Sequence, residues 1–117
     1  MKVYAELDIW KESRKLVSTI YTTTNEFSKE ETYGLTGQMR RCAISVPSNI
    51  AEGYGRRTAP DTIQFLHIAR GSLYELETQL YLALDFNYIS KPKFNKIIGD
   101  IVSCKRLMNG FIKYFKK

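Results

Sequence analysis

The sequence predicts an all-α protein, an antiparallel up-and-down four-helix bundle. Three observations carry that expectation. Apolar residues recur at spacings of three and four along four segments, no segment shows the alternation of a half-buried strand, and the breaks between segments hold helix start and stop chemistry. With 117 residues, 44% of them hydrophobic, the chain is expected to form one domain, 1–117, and to bury roughly two thirds of its unfolded surface.

The first helix is predicted to start with Asp8 as N-cap and to end in the run Thr22-Thr23-Thr24. Trp10, Leu16, Val17, Ile20 and Tyr21 share its apolar face. Residues 25–33 then form a loop, and Thr36 is the candidate cap of the second helix.

That second helix, Gln38 to Gly53, carries two stripes at about 100° per residue. Met39, Cys42, Ala43, Val46 and Ile50 make an apolar stripe suited to a core. Beside it run Gln38, Arg41, Ser45, Ser48, Asn49 and Glu52, all hydrogen-bonding side chains. Surface helices seldom concentrate Ser and Asn in this way, because these residues compete with the helix backbone. Pro47 lacks an N–H and is expected to kink the helix, and Gly53 is expected to end it in a left-handed conformation.

Thr58-Ala59-Pro60-Asp61 is a helix start: a threonine cap, proline in the first turn and an acid three residues beyond the cap. From there to about Phe86 the one interior breaker is Gly71, giving about 40 Å of helix. Its apolar residues spread widely. Ile63, Leu66, Leu73, Leu80 and Leu84 mark one face, while Phe65, Ile68, Leu76, Leu82, Ala83 and Phe86 extend around it. Such a helix needs more than one neighbour. Ser72, Glu75 and Gln79 form a short polar track that matches the one on helix two.

The fourth helix begins near Ser90-Lys91-Pro92. Phe94, Ile97, Ile98, Ile101, Cys104, Met108, Phe111, Ile112 and Phe115 form a heptad-like seam. Lys96, Arg106, Lys113 and Lys117 lie on the opposite flank. Lys105 projects into the apolar arc and requires an acid partner or a route outward.

Composition removes several function classes. No apolar run approaches the length of a membrane span, and Glu6 and Asp8 stand where a signal peptide requires its apolar core, so a cytoplasmic location is expected. Cys42 and Cys104 both fall on apolar-periodic positions without metal-like spacing, which predicts reduced, buried thiols. His67 is the single histidine, so a Ser-His-Asp triad, a Cys-His pair or a multi-histidine metal site cannot be built within one chain. Gly53-Tyr54-Gly55 lacks the strand and the Lys-Ser/Thr pair of a phosphate loop. A non-catalytic protein without metal or cofactor is expected.

Charge is uneven. The formal net charge is +6. Residues 90–117 hold eight lysines and arginines against Asp100 alone, a net +7, so the other 89 residues together carry −1. A segment of this kind suits a polyanion or an acidic protein surface, and equally a solvated helix face with a lysine-rich end.

Trp10, Gln38-Met-Arg-Arg41, Ser45-Val-Pro-Ser-Asn49-Ile-Ala-Glu52-Gly53 and Phe65-Leu-x-Ile-Ala69-x-Gly71-Ser72-Leu-x-Glu75-Leu-Glu77 resemble the four-helix bundle proteins encoded in intervening sequences of bacterial ribosomal RNA genes. The resemblance spans nearly the whole chain. It implies an up-and-down bundle assembling into a homopentameric ring. Related members serve diversity-generating retroelements as accessory subunits that bind a reverse transcriptase and nucleic acid.

Two sets of residues are therefore candidates. Gln38, Arg41, Ser45, Asn49 and Glu52 on helix two are expected to meet Ser72, Glu75 and Gln79 on helix three in a structural polar network, centred on an Arg41–Glu75 hydrogen bond and fixing helix register; a ligand site is the other reading. Arg40, Arg56, Arg57, Lys96, Arg106, Lys113 and Lys117 are the candidate nucleic-acid contacts, serving phosphates rather than particular bases, and Tyr54, Tyr74, Tyr81 and Tyr114 are candidates for stacking on bases. The competing expectation is an adaptor docking an acidic partner such as a reverse transcriptase. Neither reading involves a membrane.

Overall fold

Four helices dominate residues 3–117, the part described by the computed structural model: α1 (Asp8–Thr24), α2 (Leu35–Tyr54), α3 (Ala59–Asp85) and α4 (Lys91–Phe115). Met1 and Lys2, part of the N-terminal stretch read for targeting, lie outside the described residues. Single 3-10 turns at Tyr4–Glu6 and Lys29–Glu31 precede α1 and α2, and no strand occurs among the described residues. The expected all-α, four-helix architecture is what forms. No helix among the described residues is long and apolar enough to cross a membrane.

Consecutive helices pack against each other and α1 also packs on α4, which closes the bundle; α1 with α3 and α2 with α4 are the diagonal pairs. The α2–α3 seam is the most extensive. Contacts along it run in opposite directions in the two helices: Thr62 at the start of α3 meets Gly53 at the end of α2, and Ser72 meets Ser45 further in. The α3–α4 seam does the same, with Arg70 against Asn109, Glu77 against Lys105 and Tyr81 against Phe94.

Most of the core comes from the residues that the periodicity selects, although Tyr21, Ile68, Leu82 and Phe86 are exposed instead. Leu16 and Ile20 of α1, Met39, Cys42, Ala43, Val46 and Ile50 of α2, Leu66, Leu73, Leu76 and Leu80 of α3, and Ile97, Ile101, Cys104 and Met108 of α4 are all buried. Each large aliphatic side chain among them contributes about 1.5–3 kcal/mol by leaving water. Both cysteines are free thiols in this layer. Lys105 finds its acid in Glu77, Nζ to Oε2 at 2.9 Å, and its ammonium also sits over the Tyr74 ring.

The helix ends show where local signals suffice and where they do not. Thr58 caps α3 by accepting from Asp61 N–H, and Ser90 caps α4 by accepting from Lys93 N–H. Asp8, expected to cap α1, is instead its first residue; Leu7 precedes it and offers no side-chain acceptor. Thr36 is likewise not a cap. Helix α2 starts one residue earlier, and Glu31 supplies the acceptor, its Oε1 taking the Leu35 N–H at 3.0 Å, so Thr36 is buried inside the first turn. At the end of α3 the left-handed position is Asn87, φ 62°. Tyr88 N–H reaches Ala83 O and Asn87 N–H reaches Leu84 O, the paired closing bonds of a Schellman ending.

Gly53 is not the left-handed stop that its place in the sequence suggests: no glycine among the described residues has positive φ. It lies buried within α2, which continues to Tyr54. Its small size serves a close approach. A Cβ there would stand 2.8 Å from Phe65 Cβ and 3.2 Å from Thr62 O, and Thr62 Oγ1 donates to Gly53 O at 2.9 Å.

Candidate nucleic-acid interface

The Gly53–Thr62 contact draws the ends of α2 and α3 together, so residues 55–58 turn tightly and push two adjacent arginines outward. Arg56 lies back along α2, pairing with Glu52 at 3.3 Å and covering the Phe65 ring at 4.4 Å. Arg57 is exposed and forms no intramolecular bond among the described residues. At this end of the bundle the start of α1 and the last turns of α4 also converge. Together they surround an open cavity of about 880 Å³, within the roughly 300–1,000 Å³ range of small-molecule sites.

Its wall is apolar and aromatic: Leu7 and Ile9 before and in α1, Tyr54 of α2, and Leu107, Phe111, Tyr114 and Phe115 of α4. Tyr54 and Phe111 stack at 6.2 Å with 25° between planes, and Phe115 meets Phe111 edge-on at 5.0 Å. Arg56, Arg57 and Arg106 provide positive charge, with Asp8 the one acid. Arg106 too is exposed and without an intramolecular partner among the described residues. The first residues of α1 and α3 line the same cavity, and so do the last turns of α2 and α4, so the partial charges of the helix ends offset one another there. A groove of about 510 Å³ between α1 and α4 adjoins it through Asp8, Arg106 and Leu107, and reaches Lys11 and the Lys15–Glu12 pair.

The structure divides the basic candidates. Arg56, Arg57 and Arg106 meet at the cavity, while Lys113 is exposed on the same last turns of α4 and Lys117 lies over the Tyr114 ring at 5.0 Å. Arg40 is at the opposite end. Its Nε donates to Thr24 Oγ1 at 2.9 Å, its Nη2 to Tyr21 O at 3.4 Å, and its guanidinium covers the Tyr21 ring, so it closes the C-terminus of α1. Lys96, ten residues before Arg106 and about 15 Å away along α4, is paired with Asp100 at 2.8 Å. Of the tyrosines, Tyr54 and Tyr114 line the cavity, whereas Tyr81 packs on Phe94 and Tyr74 lies under Lys105. The meeting of Leu7, Leu107 and Phe111 in one wall is not readable from spacing, which places Phe111 in the core seam and Leu7 outside any helix.

Residues 5–110 match the family model of the 23S rRNA-intervening sequence proteins. The chain belongs to this family. Among solved structures, the crystal structure of a protein of unknown function from the S23 ribosomal protein family of Bacteroides thetaiotaomicron is similar, with a TM-score of 0.82 at 23% identity over 90% of this chain and 95% of that one. At that identity the likeness is one of fold. No curated protein matches the chain.

In this intervening-sequence protein the polar stripe of α2 is smaller than its helical wheel suggests. Ser72 Oγ donates to Ser45 Oγ at 3.0 Å, Asn49 Nδ2 donates to Ser45 O and Oγ at 2.8 and 2.9 Å, and the Cys42 thiol donates to Ser72 O at 3.0 Å. Burial, then the Glu75 carboxylate beside it, pushes the Cys42 thiol up to about 12. Burial does the same to Cys104. The expected Arg41–Glu75 bond is not formed: both residues are exposed, and Glu52 turns to Arg56. Their positions lie on the solvent side of the seam, where water competes for both partners. Gln79 is buried, yet its Oε1 has no partner among the described residues, a cost of about 1–3 kcal/mol. His67 Nδ1 lies 3.0 Å from Arg70 Nη2 and accepts from it; burial, then the charges of Arg70 and Lys116, lowers the basicity of the ring.

Proposed function

We propose that this 23S rRNA-intervening sequence protein is a non-catalytic, oligomeric scaffold that binds RNA or DNA through its arginine-bearing end without strong sequence preference. The carrying observation is the pair Arg57 and Arg106, exposed and unpartnered among the described residues, at one cavity. Guanidinium groups not engaged with internal carboxylates are suited to phosphate. The +7 carried by residues 90–117 adds long-range attraction. Lys113 and Lys117 extend the surface along α4; Arg40 and Lys96 contribute to charge but are occupied with internal partners.

Assembly is part of the proposal. Ile68, Leu82 and Phe86 on and just after α3 are 46, 40 and 56% exposed, although α3 already packs on both α2 and α4. This unfilled apolar surface favours contact with further copies, and the homopentameric ring implied by the family resemblance would repeat the arginine end five times. Light scattering on the purified protein is expected to give a pentamer; a monomer at all concentrations overturns the ring. Titration with generic RNA and DNA at increasing salt is expected to show binding that weakens steeply. No binding at low salt overturns the nucleic-acid reading and leaves the adaptor for an acidic partner, such as a reverse transcriptase.

A further inference from the structure

We propose that the cavity receives one unpaired base of a single-stranded nucleic acid, so that the protein selects single strands over duplex. This rests on the nucleic-acid reading above and adds the form of the ligand. A purely electrostatic surface needs only charge on a convex face. Here the unpartnered arginines stand instead at a concave site of about 880 Å³ whose wall includes Tyr54, Phe111 and the 59% exposed Tyr114. Aromatic rings in such a position stack on bases of any identity. A base in a duplex is already stacked and paired, and presents only its edges; it cannot enter without being flipped, which costs unstacking.

The charges suit the same geometry. Arg57 and Arg106 belong to different elements that meet at the cavity, and Arg106 also lines the groove between α1 and α4 that leads to Lys11 and to Lys15, the latter paired with Glu12 at 3.4 Å. A phosphate held by Arg106 would have its base on the cavity side and the next nucleotides along the groove. Asp8, the one acid of the cavity, would accept from an exocyclic amino group of the base.

Gly110 makes this testable without removing a side chain. It lines the cavity on α4, and a Cβ there meets nothing within 4 Å, so Gly110→Leu fills space from the wall while favouring the helix. Short labelled oligonucleotides of one unstructured sequence, single-stranded and annealed to the complementary strand as a blunt-ended duplex, are compared by fluorescence anisotropy at low salt. The expected result is at least about tenfold tighter binding of the single strand by the native protein, the size of one base stacked on an aromatic ring. Gly110→Leu reduces that ratio towards one with duplex affinity unchanged, and Phe111→Leu, which keeps apolar volume but loses the ring, does the same in part. Equal affinity for both forms overturns the base pocket while leaving the scaffold function standing. An unchanged ratio in folded Gly110→Leu also overturns it. Absence of binding to either form sinks both proposals.

Discussion

The two ends of the bundle are built from the same kinds of residue and finish in opposite states. At one end, residues 25–34 and 86–90 close over the helices. Glu31 accepts from Leu35 N–H with one oxygen and from Tyr88 OH, at 2.8 Å, with the other; Phe27 packs on Tyr88 at 5.1 Å; Arg40 closes α1. At the other end, Tyr54, Phe111 and Tyr114 line an open cavity, and Arg57 and Arg106 have no such acceptors among the described residues. The difference lies in the partners. A carboxylate and a tyrosine hydroxyl tie the first end together, whereas at the second the rings pack on one another and Arg57 and Arg106 find no carboxylate among the described residues.

Breaking the joint that shapes the open end has the largest expected effect. Gly53→Val would thrust side-chain atoms against Phe65 and the Thr62 carbonyl, and overpacking of this kind costs about 1–3 kcal/mol. The Tm is expected to fall by several degrees, since about 1 kcal/mol corresponds to roughly 4–8 °C in a domain near this size. An unchanged Tm would mean that the helices separate there without penalty.

Removing the free cations should leave stability alone. The double variant Arg57→Ala with Arg106→Ala is expected to keep its Tm and to reduce the slope of log affinity against log salt, measured on single strands, by about 0.7 for each phosphate that is no longer neutralised. The same change in slope produced by Arg40→Ala would erase the distinction between the ends. Arg40→Ala is instead expected to lower Tm, because it uncovers the Tyr21 carbonyl and Thr24 hydroxyl it now binds.

The closed end should carry a pH signature. The Leu35 N–H, and after it the Tyr88 hydroxyl, hold the Glu31 carboxyl below its ordinary range. A carboxyl depressed in the folded state stabilises above its unfolded pKa, and that stabilisation is lost as pH falls through the folded value. Glu31→Gln is therefore expected to be less stable than the native protein at neutral pH, by a small shift in Tm, and to converge with it in acid. A gap that persists in acid would remove the carboxylate from the cap. The smallest effect is expected for Lys96→Ala: its exposed pair with Asp100 is worth under about 1 kcal/mol, and nucleic-acid affinity should change only through net charge.

Legibility follows the range of the interaction. Thr58-Ala59-Pro60-Asp61 is readable because cap, proline and acid act within one turn, and the core stripe of α2 because burial follows the helical period. Gly53 misleads because the residue that demands its small size, Phe65, is twelve positions away. The Arg41–Glu75 pair misleads because a wheel shows which face a side chain occupies, not whether that face is dry. Glu31 is invisible as a cap of α2, since it reaches Leu35 only through the 3-10 turn that precedes the helix.

By itself the sequence determined four helices, their core-facing residues, the uneven charge and the family wording between Gln38 and Gly53, all of which follow from local geometry and the period of the helix. Only the tertiary structure decided which basic residues remain available and where. Arg40 and Arg57 are alike as sequence, but one lies beside the carbonyls that end α1 and the other beside an open cavity. That cavity exists because segments distant in the chain bring Leu7, Tyr54, Arg106 and Phe111 to one place, and no local pattern specifies the space left between them.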